Sequence, residues 1–218
     1  MSRGDAIDDR NSAIFRGRIY RILAMAFSPP KADASSLYEA LLQAHALLLS
    51  TGSPPEPEKP SEKPSFSTIA KEHLKLFVGP GHVPCPPYEA VYRKDRPDFE
   101  KGLVMGPSTA DVRRAYLAAG LDISKTYTDL PDHITAEMEF MQFLCTEETR
   151  LEQECKEEEV TKMKSMQREF HRNHIEPWVG YFADCILHST TSPFYRETAT
   201  VLKQFAKSEA DYFGRDLE

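Results

Sequence analysis

Apolar residues along this chain recur at three- and four-residue spacing, the period of a helix and not of a strand. In IFRGRIYRILAMAF, Ile14, Phe15, Ile19, Ile22, Leu23, Ala26 and Phe27 form one stripe, and Ser28-Pro29-Pro30 closes the helix because proline lacks an amide donor. A second helix is predicted from Ala34 to Leu49, carrying Leu37, Leu41, Leu42, Ala44, Leu48 and Leu49. A third covers 66–77. A fourth begins where Ser108 or Thr109 can cap and Asp111 can complement the helix dipole; it runs through Val112, Tyr116 and Leu117 and stops at Gly120. A fifth opens at Pro131, whose missing N–H costs nothing in a first turn, with Asp132 at the positive end of the dipole. Beyond it lie a charged run at 147–164 and two last helices, in FHRNHIEPWVGYFADCIL and PFYRETATVLKQFAKSEADYF. No sustained alternation sits between hairpin dipeptides, so the pattern predicts an all-α fold, a bundle of roughly eight or more helices.

Two stretches break the pattern. TGSPPEPEKPSEKPS, at about 51–65, combines prolines with charges that resist burial, and is expected to be an exposed loop. It is not read as a domain boundary, since the helices before it are too few to build a core, and 1–218 is expected to be a single domain. VGPGHVPCPPYEAVYR has too much Pro and Gly for regular structure, yet Val83, Tyr88, Val91 and Tyr92 are too apolar for a free loop. That loop is expected to pack down on the bundle.

Composition narrows the function classes. The 218 residues are 40% hydrophobic and 28% charged, enough to bury a sizeable core, and no apolar run approaches the roughly 20 residues of a membrane span. MSRGDAIDDRNSAIF carries acidic residues where a secretory signal would be basic and then apolar, so the expectation is a cytoplasmic protein without stable membrane insertion. The net charge of -7 argues against nucleic acid as a partner, because phosphate binding needs a basic stripe. Cys85, Cys145, Cys155 and Cys185 form no CxxC pair, and are read as reduced thiols with no zinc site or disulfide framework.

The chemistry-bearing candidates are few. In TYTDLPDHITAEMEFMQFL, His133 and Glu137 stand four apart on one helix face, spacing that suits an ordinary helix pair or two metal ligands. His171 and His174, three apart, are read as surface or capping histidines, and Trp178 as a core anchor. Met138, Phe140, Met141 and Leu144 read as core, with Met also suited to a groove for varied apolar peptides. LEQECKEEEVTKMKSMQRE mixes signs at helical spacing and reads as a solvated face. The GPG at Gly79 lacks the Lys-Ser/Thr of a phosphate loop, and no nucleophile elbow is present. The alternatives to a binding protein are a helical metal-dependent enzyme using His133, Glu137 and a histidine near His171, and a structural subunit of a larger complex.

LFVGPGHVPCPPYEAVY, then LPDHITAEMEFMQFL, then HIEPWVGYFADCI and SPFYRETATVLKQF together resemble the TorD/DmsD/NarJ family of redox-enzyme maturation chaperones. The likeness begins at YRILAMAFSPP and covers nearly the whole chain. It implies an all-helical, non-catalytic cytoplasmic chaperone, without a cofactor, as a monomer or homodimer. Its partner would be the apo form of a molybdopterin oxidoreductase catalytic subunit and its twin-arginine leader peptide. Carried over by residue, the leader-binding surface falls on Leu76, Phe77, Pro87, Tyr88, Pro131, Asp132 and His133; His73 and Tyr88 stand where relatives often have Trp. A twin-arginine leader puts guanidinium groups beside an apolar helix, so its receptor is expected to pair carboxylates, here Asp132, Glu137 and Glu89, with an apolar and aromatic groove of Leu76, Phe77, Tyr88 and Tyr92.

Overall fold

The structure, a computed structural model, describes residues 12–31, 34–49, 63–96, 105–121 and 129–214. Among these residues the chain forms nine α-helices: α1 (Ala13–Phe27), α2 (Ala34–Leu49), α3 (Phe66–His73), α4 (Glu89–Tyr92), α5 (Pro107–Ala118), α6 (Ile134–Gln153), α7 (Glu157–Phe170), α8 (Val179–Ser189) and α9 (Pro193–Gly214). α3 and α7 each continue into one π turn, at Leu74–Val78 and His171–Ile175. No strand forms among the described residues, and the β pairing there is an isolated bridge between Tyr88 and His133. The all-α expectation holds. The proline-rich stretch lies outside the described residues as far as position 62.

α1 starts where Ser12 Oγ accepts from the Phe15 amide (3.3 Å) and ends where the Ser28 amide and hydroxyl both donate to Ala24 O (3.1 and 2.8 Å). It lies along α6, and Gly17 permits the close approach: a Cβ there would stand 3.1 Å from Cys145 Cβ. α7 folds back on α6, while α9 packs against α8 and α2. Tyr20, Phe27, Trp178, Phe182, Phe194 and Tyr195 are fully buried where these helices meet, with Leu23, Leu41, Ile69, Leu76 and Ile134. Each such side chain contributes about 1.5–3 kcal/mol over its exposed state.

The apolar stripe of α1 is interrupted by a charge. Ile14 is 51% exposed, whereas Arg16 is buried and donates through Nε and Nη2 to both carboxylate oxygens of Glu209, each at 2.8 Å. Tyr20 Oη donates to the same carboxylate (2.8 Å), and Glu148 stands 3.7 Å from Arg16 Nη1. The guanidinium also lies over the rings of Tyr212 and Phe213. A charge enters an interior only with such partners, and the pair bolts α1 to α9.

Helix starts differ from the sequence reading in an instructive way. α5 is capped by Gly106, with Pro107 in the first position, while Ser108 and Thr109 lie buried in the first turn. α6 begins at Ile134, so Pro131 and Asp132 precede it, and the capping side chain is the imidazole of His133. The 147–164 run is mostly solvated, as its alternating charges suggest, but Glu148 turns inward to accept from Gln167 Nε2 at 2.7 Å. His171 and His174, expected at the surface, are buried. They fall within the π turn after α7, where the added residue per turn shifts the helix face relative to a regular helix.

Candidate functional site

The PPYE and PDH segments meet at the bridge. The Ile134 amide donates to Pro87 O and the Glu89 amide to Asp132 O, each at 2.9 Å. Tyr88 and His133 are the N-caps of α4 and α6, and both are extended (φ -124°, ψ 135° and φ -74°, ψ 136°), as pairing of backbones requires. Two helix starts are thereby laid side by side. The Tyr88 and His133 rings meet edge to face at 5.3 Å. His133 Nδ1 accepts from the Thr135 amide (3.1 Å), which places its proton on Nε2, and burial lowers its pKa. Nε2 stands 3.8 Å from Asp129, whose other oxygen accepts from Tyr88 Oη at 2.9 Å. The Asp129 side chain is 39% exposed, and Tyr88, Pro131 and His133 are half-buried, so the four make a surface strip.

Beneath the strip is a buried polar hub. Asp132 Oδ2 accepts from the Ala90 amide (3.2 Å) and so caps α4, while Thr109 also interacts with its carboxylate. Burial, with the Glu89 charge added, pushes Asp132 up to about 6. Glu89 pairs with Arg93 and stands 3.0 Å from His174 Nδ1. Arg93 also grips Asp95 through two bonds (2.7 and 2.6 Å) and donates to Asn173 O (2.6 Å). Glu137 is enclosed: burial first, then the charges of Glu89 and Asp132, hold its pKa well above the usual carboxylate range. It accepts from Trp178 Nε1 at 3.1 Å, an N–H shared with His174 O at 2.5 Å. Tyr92 stacks on Trp178, with ring centroids 5.7 Å apart.

The ten residues singled out from sequence therefore divide. Tyr88, Pro131 and His133 share the strip. Pro87 supports it from below through its carbonyl. Leu76 and Phe77 are core, Phe77 lying among Phe27, Phe182, Tyr195 and His73. Glu89, Asp132 and Glu137 were expected to line a groove as open carboxylates, but all three are fully buried with internal partners. The reason is that each takes a donor from a different element, which is what allows it inside. His133 and Glu137 serve different partners, and no cluster of three or more metal-binding side chains occurs among the described residues.

Sequence reasoning missed Asp129, Arg93 and His174. Arg93 was legible as an i,i+4 partner of Glu89, and Asp129 as an acid four residues before His133; nothing in the pattern turns His174 inward. A cleft of about 490 Å³ adjoins the hub between α5, α6 and the second π turn, floored by Phe140, Met166 and Phe170 and edged by Arg96 and Arg114.

An all-helical scaffold that pins two helix starts together above a shared polar hub defines a protein that presents a surface. Comparison with known proteins agrees on the class. The model of the family described as Nitrate reductase delta subunit matches residues 31–184. The chain belongs to this family, the TorD/NarJ group that its motifs resemble. It is 21% identical over 152 residues to Chaperone protein TorD of Shewanella pealeana, covering 68% of this chain and 62% of that protein. It is 23% identical over 144 residues to Chaperone protein TorD of Vibrio parahaemolyticus, covering 66% and 63%. The chain thus spans a little under two thirds of the curated relatives it matches. A crystal structure of a redox enzyme maturation protein from Archaeoglobus fulgidus shares the fold, with a TM-score of 0.51 at 22% identity, covering 88% of this chain and 94% of that one. No helix among the described residues is long and apolar enough to cross a membrane.

Proposed function

We propose that this protein is a cytoplasmic maturation chaperone for a redox enzyme, and that the strip of Tyr88, Asp129, Pro131 and His133 is where it meets its client. The client is the apo catalytic subunit of a molybdopterin oxidoreductase, taken by its twin-arginine leader and held until cofactor insertion and export. The observation that carries this reading is the Tyr88–His133 bridge, which joins on one half-exposed surface the two motifs most specific to the family resemblance. The chaperone names of the TorD relatives support it.

The leader's apolar segment suits the faces of Tyr88 and Pro131. Its guanidinium groups suit Asp129, the carboxylate at the rim, which a planar two-pronged donor can take from the Tyr88 hydroxyl. Asp132, Glu89 and Glu137 act from beneath: they hold the two helix starts in register and do not touch the leader. Pro87 supports the strip through its carbonyl, while Leu76 and Phe77 belong to the core and Tyr92 packs on Trp178 and Phe182.

Calorimetric titration of the full chain with a synthetic leader peptide tests this. Asp129→Asn is expected to weaken binding about tenfold through loss of a charge-assisted pair, and a leader with both arginines changed to lysine about as much through loss of the two-pronged geometry. Equal affinity for the arginine and lysine leaders sinks the leader reading. Capture of a client subunit that lacks its leader, by a variant blind to the peptide, moves the contact to the mature region.

A further inference from the structure

Cys85 and Cys185 belong to neither the strip nor the hub, and they meet across two elements far apart in the chain. Cys85, fully buried, lies in the loop after α3, fixed by its amide donating to Leu76 O at 3.1 Å. Its thiol donates to Ser189 Oγ (3.4 Å) at the end of α8. Cys185, one turn earlier on α8 and half-buried, donates to the carbonyl of Pro84 (3.2 Å), the residue before Cys85. Each thiol is thus bonded to a neighbour of the other, which brings the two side chains together. The other two cysteines have no such companion among the described residues: Cys145 is enclosed against Gln167, and Cys155 is exposed at the turn between α6 and α7.

We propose that Cys85 and Cys185 are a peroxide-oxidised dithiol whose disulfide fastens the 79–88 loop to α8. The reachable sulfur attacks first. When Cys185 ionises, the Cys85 S–H turns from Ser189 to the Cys185 sulfur; with the hydroxyls of Tyr92 and Ser189 it lowers Cys185 to about 6, which supplies the thiolate that such chemistry needs. The same shared bond and burial push Cys85 up, so it waits as a thiol. The Cys185 thiolate attacks one oxygen of a hydroperoxide: an S–O bond forms, the O–O bond breaks, and the departing oxygen takes a proton and leaves as water or alcohol. The Cys85 sulfur then attacks the sulfenic sulfur: the S–S bond forms, the S–O bond breaks, and hydroxide leaves as water with the Cys85 proton. Two thiols lose two hydrogens and one peroxide is reduced. A dithiol reductant reverses the link. This goes beyond the chaperone reading and does not depend on it.

The test treats the full chain with hydrogen peroxide and maps it by mass spectrometry without reduction. A peptide pair joined through Cys85 and Cys185, and released by dithiothreitol, is the expected product. In Cys85→Ser, the sulfenic acid should persist at Cys185 and be trapped by dimedone; in Cys185→Ser, Cys85 should stay unmodified. Wild-type alkylation gives a reading that no variant's folding can disturb: the Cys185 rate should hold within about threefold between about pH 8 and about pH 6.5, where an ordinary thiol slows by more than tenfold. A link through Cys145 or Cys155, oxidation of Cys185 that leaves Cys85 free, or an ordinary pH profile overturns the proposal.

Discussion

The indole N–H of Trp178 is shared between His174 O (2.5 Å) and the carboxyl group of Glu137 (3.1 Å), whose burial holds its pKa well above the usual carboxylate range. A protonated carboxyl and a carboxamide are close in shape and both carry one donor and one acceptor. At about pH 4 and below, where the unfolded chain is protonated as well, Glu137→Gln should therefore change stability by no more than about 1 kcal/mol, whereas Glu137→Ala should cost about 2 to 4 kcal/mol through lost volume. The folded chain holds this proton more tightly than the unfolded chain, so wild-type stability falls relative to Glu137→Gln as pH rises above the ordinary glutamate range, about 4.3. Urea unfolding of the three proteins at acid and neutral pH checks this; a wild type that gains on Glu137→Gln with rising pH would mean a native Glu137 anion.

Asp132 follows the same sign in a narrower window. Its folded pKa, about 6, lies above the ordinary aspartate value of about 3.9, so ionising it costs stability progressively between those limits. Asp132→Asn escapes that cost. Its stability relative to wild type should improve by as much as about 3 kcal/mol between about pH 4 and about pH 7, and then level off. A difference that stays flat across that range shows an Asp132 charge already satisfied by Ala90 and Thr109.

Arg93 holds Glu89 inside the hub. Arg93→Met keeps most of the volume but leaves a buried anion beside His174 alone, and should cost about 3 to 5 kcal/mol. Adding Glu89→Gln removes the stranded charge and should recover a large part of the loss. Thermal or urea unfolding of the full double-mutant cycle measures the coupling, which strict additivity would show to be absent.

Gly17 sets the distance between α1 and α6. Gly17→Leu has no room against Cys145 and should cost about 1 to 3 kcal/mol despite the better helix former. An unchanged melting temperature would mean that α1 can slide along α6 freely.

The helical period was enough to find most elements, since Leu, Ile and Phe at helical spacing have one way to hide. It failed where a polar residue replaced an apolar one inside, as Arg16 replaces Ile14, because the partner that admits it, Glu209, is at the other end of the chain. It failed at His171 and His174 because a π turn changes the face without changing composition. The meeting of Tyr88 and His133 could be expected only from the family resemblance, since a single backbone bridge leaves no period. The pattern placed Asp132 at the surface and passed over Asp129 for a simple reason. Both are aspartates near one helix start, and only the fold says which one the Ala90 amide draws inward.

The Arg16–Glu209 pair has a consequence for biosynthesis. Arg16 leaves the ribosome early and Glu209 late, so during most of translation the guanidinium of α1 has no carboxylate from α9 to receive it. Until then the guanidinium has Glu148 of α6 within reach and no α9 ring above it, so burial of the cation waits for α9. The nascent chain is thereby kept from sealing its interior around α1 piece by piece, and the final closure falls after residue 209 has been made.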